Sequence, residues 1–584
     1  MVGFFLLFMM HFFAGMRGGL AAALLVLLML AARPVARAQA PAWQMAMAVS
    51  GNQGLLTTVQ ALAADANGNI YLAGGFEGTI SLSNLGLTSV GGRDVFVAKW
   101  NQASRRFVWA QRAGGIGDDY ATVLAVNGTS LYVTGEFTSN NAFFGNSIVL
   151  NSNPGSDVFV TKLTDAGQTA TFTWAKSVNG QYIEKAAGIC CAGTSVYITG
   201  SFSSPGVMFG SLATLSYTGG YDVFIAKLED SGSTGDFIWA RRAGGADDDF
   251  ASAIALNGTT LYLAGSFQAT ASFGAFSVIS AGSSDVFTTK LTDDGNSPRW
   301  MWVQQTGGAD FDEATALAVN GANVYVAGNF NSGQIDFGST SLANLQAGNP
   351  DVFVAKLTDT GTASHFTWAL RAGGPAGDYA QSMSVSGTGV FVAGSFLSAS
   401  AAFGTTILAN TGGGADDIFI TKLIDAGSMA GFSWTQQSGG IRSDGGRAVV
   451  TSGTDVVVAG YISPPVSFRP YSIVGPIGIQ TGFLASLTDA TLTATAAAQG
   501  TLPFTLAPNP ACASTTVQLP ALPGMATATL ILLDALGRMV RTTTVALPPA
   551  GLRHEFSLAG LAPGLYALRV HVGDATSVRR LVVE

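Results

Sequence analysis

Carboxylates recur at one place in a repeated glycine turn: "GGIGDDYA" from residue 114, "GGADDDFA" from 244, "GGADFDEA" from 307, "GGPAGDYA" from 373 and "GGIRSDGG" from 439. Asp119, Asp249, Asp312, Asp378 and Asp444 close these turns. Several hard oxygens gathered on one face could hold Ca²⁺ or a polar glycan, and two carboxylates across a cleft could serve as the acid and base of a glycosidase. No D-x-D-x-D-G loop sharpens the metal reading. The competing reading is architectural, each Asp accepting backbone N–H bonds and fixing its own turn.

Other catalytic groups are sparse. The four histidines, His11, His365, His554 and His571, stand in no motif with Ser and Asp, and there is no H-E-x-x-H, no Cys/His metal spacing and no phosphate-binding loop. We therefore expect a protein that is not an enzyme and needs no cofactor, with Ca²⁺ as the one metal the turns could accept.

The elements that must position these carboxylates are repeated. The strand "DVFVAKW" at 94 returns as DVFVTKL at 157, DVFIAKL at 222, DVFTTKL at 285, DVFVAKL at 351 and DIFITKL at 417. Trp43, Trp109, Trp174, Trp239, Trp302, Trp368 and Trp434 are 63 to 66 residues apart. Seven glycine turns, at Gly68, Gly128, Gly193, Gly258, Gly321, Gly387 and Gly453, each lie between short apolar runs as a hairpin would. The run after each turn ends in Ala or Thr followed by Gly, from Ala73-Gly74 to Ala459-Gly460.

Each unit thus offers four strands: A ("TVLAV"), B ("LYVTG"), C ("DVFVTKL") and D ("FTWAK"). Four antiparallel strands repeated seven times predict an all-β, seven-bladed β-propeller over residues 41–487, with a linear solenoid as the alternative. Trp43 opens the array on a D strand with no A, B or C before it, and the last unit, ending at "GFLASL", has no D. A closed ring solves both deficits if the N-terminal strand completes the last blade.

The D–A and B–C connections should emerge on one face. The B–C connections are about 20 residues long and carry Phe-Gly at Phe144, Phe209, Phe273, Phe337 and Phe403, with Phe468-Arg469 in the last unit. This long-loop face is the expected binding face, and the Phe-Gly element is expected to plug the blade. Six C strands end in Lys (Lys99, Lys162, Lys227, Lys290, Lys356, Lys422) and the seventh in Ser486. These lysines are expected at solvated strand ends, or in weak exposed inter-blade pairs with the Asp of "TDAG" loops.

Composition sets the partners and the compartment. Charged residues are 11 % of 584, Gly numbers 74 and the net charge is −8 without a basic tract, which disfavours nucleic acid and anionic membrane surfaces. Residues 1–38 read as a signal peptide: an apolar run from Leu20 to Leu30 after Arg17, with cleavage after Ala38 and a start at Met1 or Met16. An uncleaved anchor is the alternative; the mature chain holds no further transmembrane segment. Cys190, Cys191 and Cys512 are too few for a disulfide framework, and the adjacent pair should point to opposite faces of a strand.

The repeats resemble the bacterial seven-bladed β-propeller (SBBP) repeat family, whose units carry a Trp strand, a GG-x-x-D turn, a G-x-x-Y-V-x-G hairpin and a D-x-F-V-x-K-L strand. The resemblance covers residues 43 to 487 and implies the propeller and an extracellular setting, without fixing an activity.

Beyond a low-complexity linker at 488–502, the 65-residue period stops. Residues 503–584 read as short alternating strands of a small immunoglobulin-like β-sandwich. Four elements occur in order there: "PNP" (Pro508, Asn509, Pro510), "DALGR" (with Asp534, Gly537 and Arg538), "L-x-x-G-x-Y-x-L" (with Gly564 and Tyr566) and a terminal "RRLVVE". This region resembles the type A sorting domain of the type IX secretion system of Bacteroidota. The resemblance implies export through the type IX translocon, removal of the domain by a sortase-like peptidase, and either attachment to lipopolysaccharide or release, hence a secreted or outer-surface location. Two functions are expected for the exported part: a binding module for a glycan or protein, or a surface spacer without a ligand. A secreted polysaccharide-degrading enzyme is the third reading.

Overall fold

The computed structural model of the chain describes residues 40–49, 56–295, 297–492, 504–511, 513–520, 527–533, 539–548, 551–572 and 575–584. The signal segment with Ala38 and Met16, most of the linker, Cys512 and the DALGR residues Asp534, Gly537 and Arg538 lie outside them. Among the described residues the structure is all-β, built from antiparallel sheets without a helix.

Up to residue 492 seven sheets follow one another, each holding four strands in the order A-B-C-D, and five of them are extended by hairpin strands. The second runs Asp119–Asn127, Ser130–Phe137, Asp157–Asp165 and Ala170–Asn179. The seventh takes its A, B and C strands from Gly445–Ser452, Asp455–Ile462 and Thr481–Thr488, and its outermost strand is Trp43–Val49, antiparallel to Thr481–Thr488. Each A strand packs against the A strand of the next sheet, and Gly445–Ser452 packs against the first, Thr57–Ala64.

Every residue of a C strand from Asp157 to Leu163 is buried, because both faces meet a neighbouring sheet. The cores accordingly lie between sheets. One joins Ala73, Val97 and Trp109 of the first to Leu124, Val133 and Phe159 of the second; another joins Leu72 and Phe96 of the first to Val457 and Leu484 of the last. The B–C connections fold into short hairpins that lie beside the D strand of the preceding sheet, Phe144 pairing with Ala113. The Phe-Gly phenylalanines are buried against aromatic rings of their own unit, Phe144 lying 5.1 Å from Phe159 and 5.7 Å from Phe172.

The Gly third from the end of every B strand has a steric cause. Each A strand carries a β-bulge three residues in, and a Cβ on Gly135 would lie 2.1 Å from the Tyr120 carbonyl of the neighbouring strand. Trp43 departs from the expected tryptophan series. It pairs with Leu487, the register held by Phe107 and Phe172 in other units, and meets Phe468 edge-on at 5.2 Å. Met45 takes the tryptophan register, opposite Ser486.

Cys190 and Cys191 are free and pack into different inter-sheet cores; burial pushes the Cys191 thiol up to about 12. The C-terminal unit stacks a three-stranded sheet on a four-stranded one around Phe504, Val517, Leu530, Phe556, Leu568 and Leu581. No helix of the described residues is long and apolar enough to cross a membrane.

Candidate functional site

The D–A corners are built around two glycines and two carboxylates. Gly114 has φ 134°, and a Cβ on it would lie 2.5 Å from Asp94 Oδ1 and 2.8 Å from Asp119 Oδ2. Asp119 accepts the Gly115 N–H at 2.7 Å and the Ser139 hydroxyl at 2.6 Å. Asp249, Asp312, Asp378 and Asp444 repeat the bond to the second glycine. Asp94, at the head of its C strand, accepts the Val90 N–H and pairs with Arg112 at 2.7 Å.

The five turn aspartates are therefore not brought together. They stand in five different sheets, each fully buried and bonded to donors of its own corner, with Asp249 Oδ1 left without a partner among the described residues. Glu184 holds the same position in the third unit, four residues after Gly180 as Asp119 is four after Gly115; the spacing would have found it, although the residue type differs. Among the described residues no group of three or more His, Cys, Asp or Glu could hold a metal. Burial is the main cause of raised carboxyl pKa values here. It lifts Asp249 and Asp444 to about 7, and Asp312 and Asp378 to about 6, against the donors that favour ionisation.

What stands beside these corners is variable and partly apolar. The residue after each corner carboxylate is Tyr120, Lys185, Phe250, Glu313, Tyr379 or Gly445. Tyr120 donates to Glu136 at 2.7 Å beneath the Arg93 guanidinium, Lys185 lies 4.7 Å above the Tyr221 ring and 5.2 Å above that of Phe250, and Asn329 donates to Glu313 at 3.0 Å. Glu136 and Glu313 are both raised, chiefly by burial. The sequence reading passed over these residues; the available signal was variation at one position in an otherwise constant frame. Around them stand exposed Val90, Ile116, Tyr182, Ile183, Phe311, Leu345, Ile441, Val474 and Ile477 in the D–A and B–C connections, whereas the opposite face exposes only Met429 among large apolar side chains of the described residues.

On that opposite face the lysines are not solvated. Each C-strand Lys pairs with an Asp of the next unit at 2.5–2.8 Å: Lys99–Asp165, Lys162–Asp230, Lys227–Asp293, Lys290–Asp359, Lys356–Asp425 and Lys422–Asp489. All twelve side chains are under a tenth exposed, so the expected exposed, weak pairs are corrected to buried ones. The expected inter-blade Asp partner is found, but the neighbouring sheet that supplies it also covers the lysine, so the pair is buried and not exposed. Each Asp also accepts from a Trp indole, as Asp293 does from Trp239 at 3.2 Å, and in five cases from a Tyr hydroxyl, as Asp293 does from Tyr197 at 2.7 Å.

In the C-terminal unit the Asn509 side chain clamps the final strand, donating to the Arg580 carbonyl at 2.7 Å and accepting the Val582 N–H at 2.9 Å. Pro508 and Pro510 flank it, the Pro508 carbonyl accepting from Thr515. The Tyr566 hydroxyl closes the corner before its own strand on the Ala562 carbonyl at 2.9 Å, two residues beyond Gly564. Residues 505–584 match the family model described as a secretion system C-terminal sorting domain. The C-terminal unit is a type IX sorting domain. The chain is accordingly a protein secreted or held at the outer cell surface, and its sorting domain implies interaction with the type IX machinery.

No curated protein matches the chain. Among solved structures it is similar to dimeric latent PorU from Porphyromonas gingivalis, at 10 % identity and a TM-score of 0.13, over 68 % of this chain and 32 % of that one. The chain thus spans about a third of that protein's length, and so weak a superposition describes neither fold nor function here.

Proposed function

We propose that residues 41–487 form a closed seven-bladed β-propeller that acts outside the cell as a non-catalytic binding module for a glycan or a protein. Closure is supported by the return of the last A strand to the first and by the core that joins the first and last sheets. The binding role rests on the asymmetry of the two faces: exposed apolar side chains gather on the long-loop face around Tyr120, Lys185 and Phe250, while the opposite face is sealed by buried ion pairs. Rigid β scaffolds characteristically carry binding groups on such loops. The carboxylates best placed for acid–base chemistry are spent on their own turns, which favours binding over turnover, and the reading includes no cofactor or metal. The sorting domain would be removed by a sortase-like peptidase, leaving the propeller on lipopolysaccharide or released.

A glycan array and a surface-protein pull-down with the chain cleaved after the propeller test the reading. Capture that is lost on Ile116→Ser with Ile441→Ser supports it. Capture of nothing favours a spacer, and release of sugars from a polysaccharide panel would show an enzyme.

A further inference from the structure

The bulge in each A strand turns one extra residue out of the ladder, three positions in from the long-loop end: Gln60, Thr122, Ala187, Ser252, Thr315, Gln381 and Arg447. A bulge re-aims a side chain, and all seven line a single cavity of about 380 Å³. Its remaining lining is small or apolar, with Leu62, Ile254 and Met383 among it, and it contains no carboxylate. One charged residue lines it, Arg447. Its guanidinium is held in place from two sides, donating to Gln381 at 2.8 Å and lying 5.3 Å from the Tyr461 ring centre. Asp416 feels its field from outside the lining and offsets part of the charge. The Thr122 hydroxyl is buried without a partner among the described residues.

One fixed cation, a ring of amide and hydroxyl groups and an apolar wall match a small organic anion whose body carries hydroxyls. The volume is in the range of small-ligand pockets and suits a single sugar ring. We propose that this cavity binds a sugar acid of the hexuronate class, its carboxylate on Arg447 and its hydroxyls on the bulge side chains Thr122, Ser252, Gln60 and Gln381. A guanidinium suits a carboxylate because its N–H groups form a planar fork. The inference goes beyond the long-loop reading and is independent of it, because Arg447→Met should abolish uronate binding and leave loop-face capture intact.

Calorimetric titration of the full-length chain with glucuronate, galacturonate, neutral glucose and inorganic sulfate tests it. A uronate should bind at least about tenfold more tightly than glucose, the loss expected when a charge-assisted hydrogen bond is missing. Arg447→Met should remove uronate binding, Arg447→Lys should keep a fraction of it, and Thr122→Val should weaken it a few-fold. The wild-type comparison of glucuronate with glucose needs no variant, so it decides the matter even where Arg447→Met does not fold. Equal binding of glucose, sulfate binding as tightly as uronate, uronate binding that survives in a folded Arg447→Met chain, or no binding of either uronate would each overturn the proposal.

Discussion

Both faces of the repeat carry buried aspartates, and the two sets titrate in opposite directions. On the short-turn face Asp165, Asp230, Asp293, Asp359, Asp425 and Asp489 are held below the usual carboxylate range: burial opposes ionisation, but the Lys and the Tyr, Trp or backbone donors outweigh it. On the long-loop face Asp119, Asp249, Asp312, Asp378 and Asp444 lie deeper, accept neutral donors only, and are raised. Two differences set the directions: the corner carboxyls are more deeply desolvated, and only the short-turn carboxyls meet a cation from the neighbouring sheet. The short-turn face is thereby a set of fastenings between units, and the long-loop face a set of self-contained corners.

The largest effect should come from opening one fastening. Asp293→Ala leaves the Lys227 ammonium buried and deprives the Tyr197 and Trp239 donors of their acceptor. Breaking a buried pair this way costs about 3–5 kcal/mol. Asp285→Ala, on the other face of the same unit, removes no cation's partner and should cost about 1–3 kcal/mol. Denaturant melts of the two variants compare the faces directly, and equal losses would show that the lysines contribute nothing special.

Stability against pH separates the two sets without mutation. The short-turn aspartates have lowered folded pKa values, so their contribution is present above the unfolded value of about 3.9 and is lost as pH falls through the lower folded value. The long-loop carboxyls are raised, to about 7 for Asp249 and Asp444 and about 6 for Asp312 and Asp378. Their contribution is complete below about 3.9 and is lost as pH rises through 6 to 7. Calorimetric scans should give the highest Tm near pH 4–6, a fall toward pH 8 and a steeper fall below pH 3.5. Asp249→Asn should flatten the alkaline limb and leave the acid limb unchanged.

How far this was legible in the sequence depends on whether the deciding contact is local. The strands, the hairpin turns and the corner motif are local, so repetition announced them. The Lys–Asp fastenings are not: Lys227 meets Asp293, 66 residues on, and only the packing of one sheet on the next buries the pair. Trp43 was misplaced for a related reason. A spacing of 66 residues to Trp109 suggested the tryptophan register, yet two residues separate that register from the phenylalanine one, and only the pairing with Leu487 distinguishes them. The corner aspartates were read both as turn formers and as ligand holders because sequence cannot say which way a carboxylate faces.

A smaller effect is expected where the first and last sheets meet, since this junction has no fastening. Val457, Ser486 and Met45 stand where other units place Tyr (Phe391 in the sixth), Lys and Trp, and Gln102 stands in place of the Asp, bonded to Ser452 at 2.9 Å and to Asp455 at 3.3 Å. Ser486→Lys alone should destabilise by burying an unpaired cation. Adding Gln102→Asp should recover nearly all of the loss and gain no more than about 1 kcal/mol over the natural junction, because a buried pair roughly balances a well-packed neutral set. A double-mutant cycle measures this, and a large net gain would mean that the neutral junction is a weak point.

The smallest change in stability should come from the exposed corner residues, and there the two faces differ in function. Ile441 is 70 % exposed on the long-loop face and Met429 is 66 % exposed on the other. Neither fills a core, so Ile441→Ser and Met429→Ser should each shift stability by less than about 0.5 kcal/mol. If the long-loop face is the one that binds, only Ile441→Ser weakens capture of whatever the chain retains. An equal loss at Met429 would move the contact surface to the sealed face or the rim. Loss at neither would confine recognition to the polar groups around Tyr120 and Lys185, where Tyr120→Phe, which keeps the ring and removes the hydroxyl bonded to Glu136, becomes the discriminating substitution.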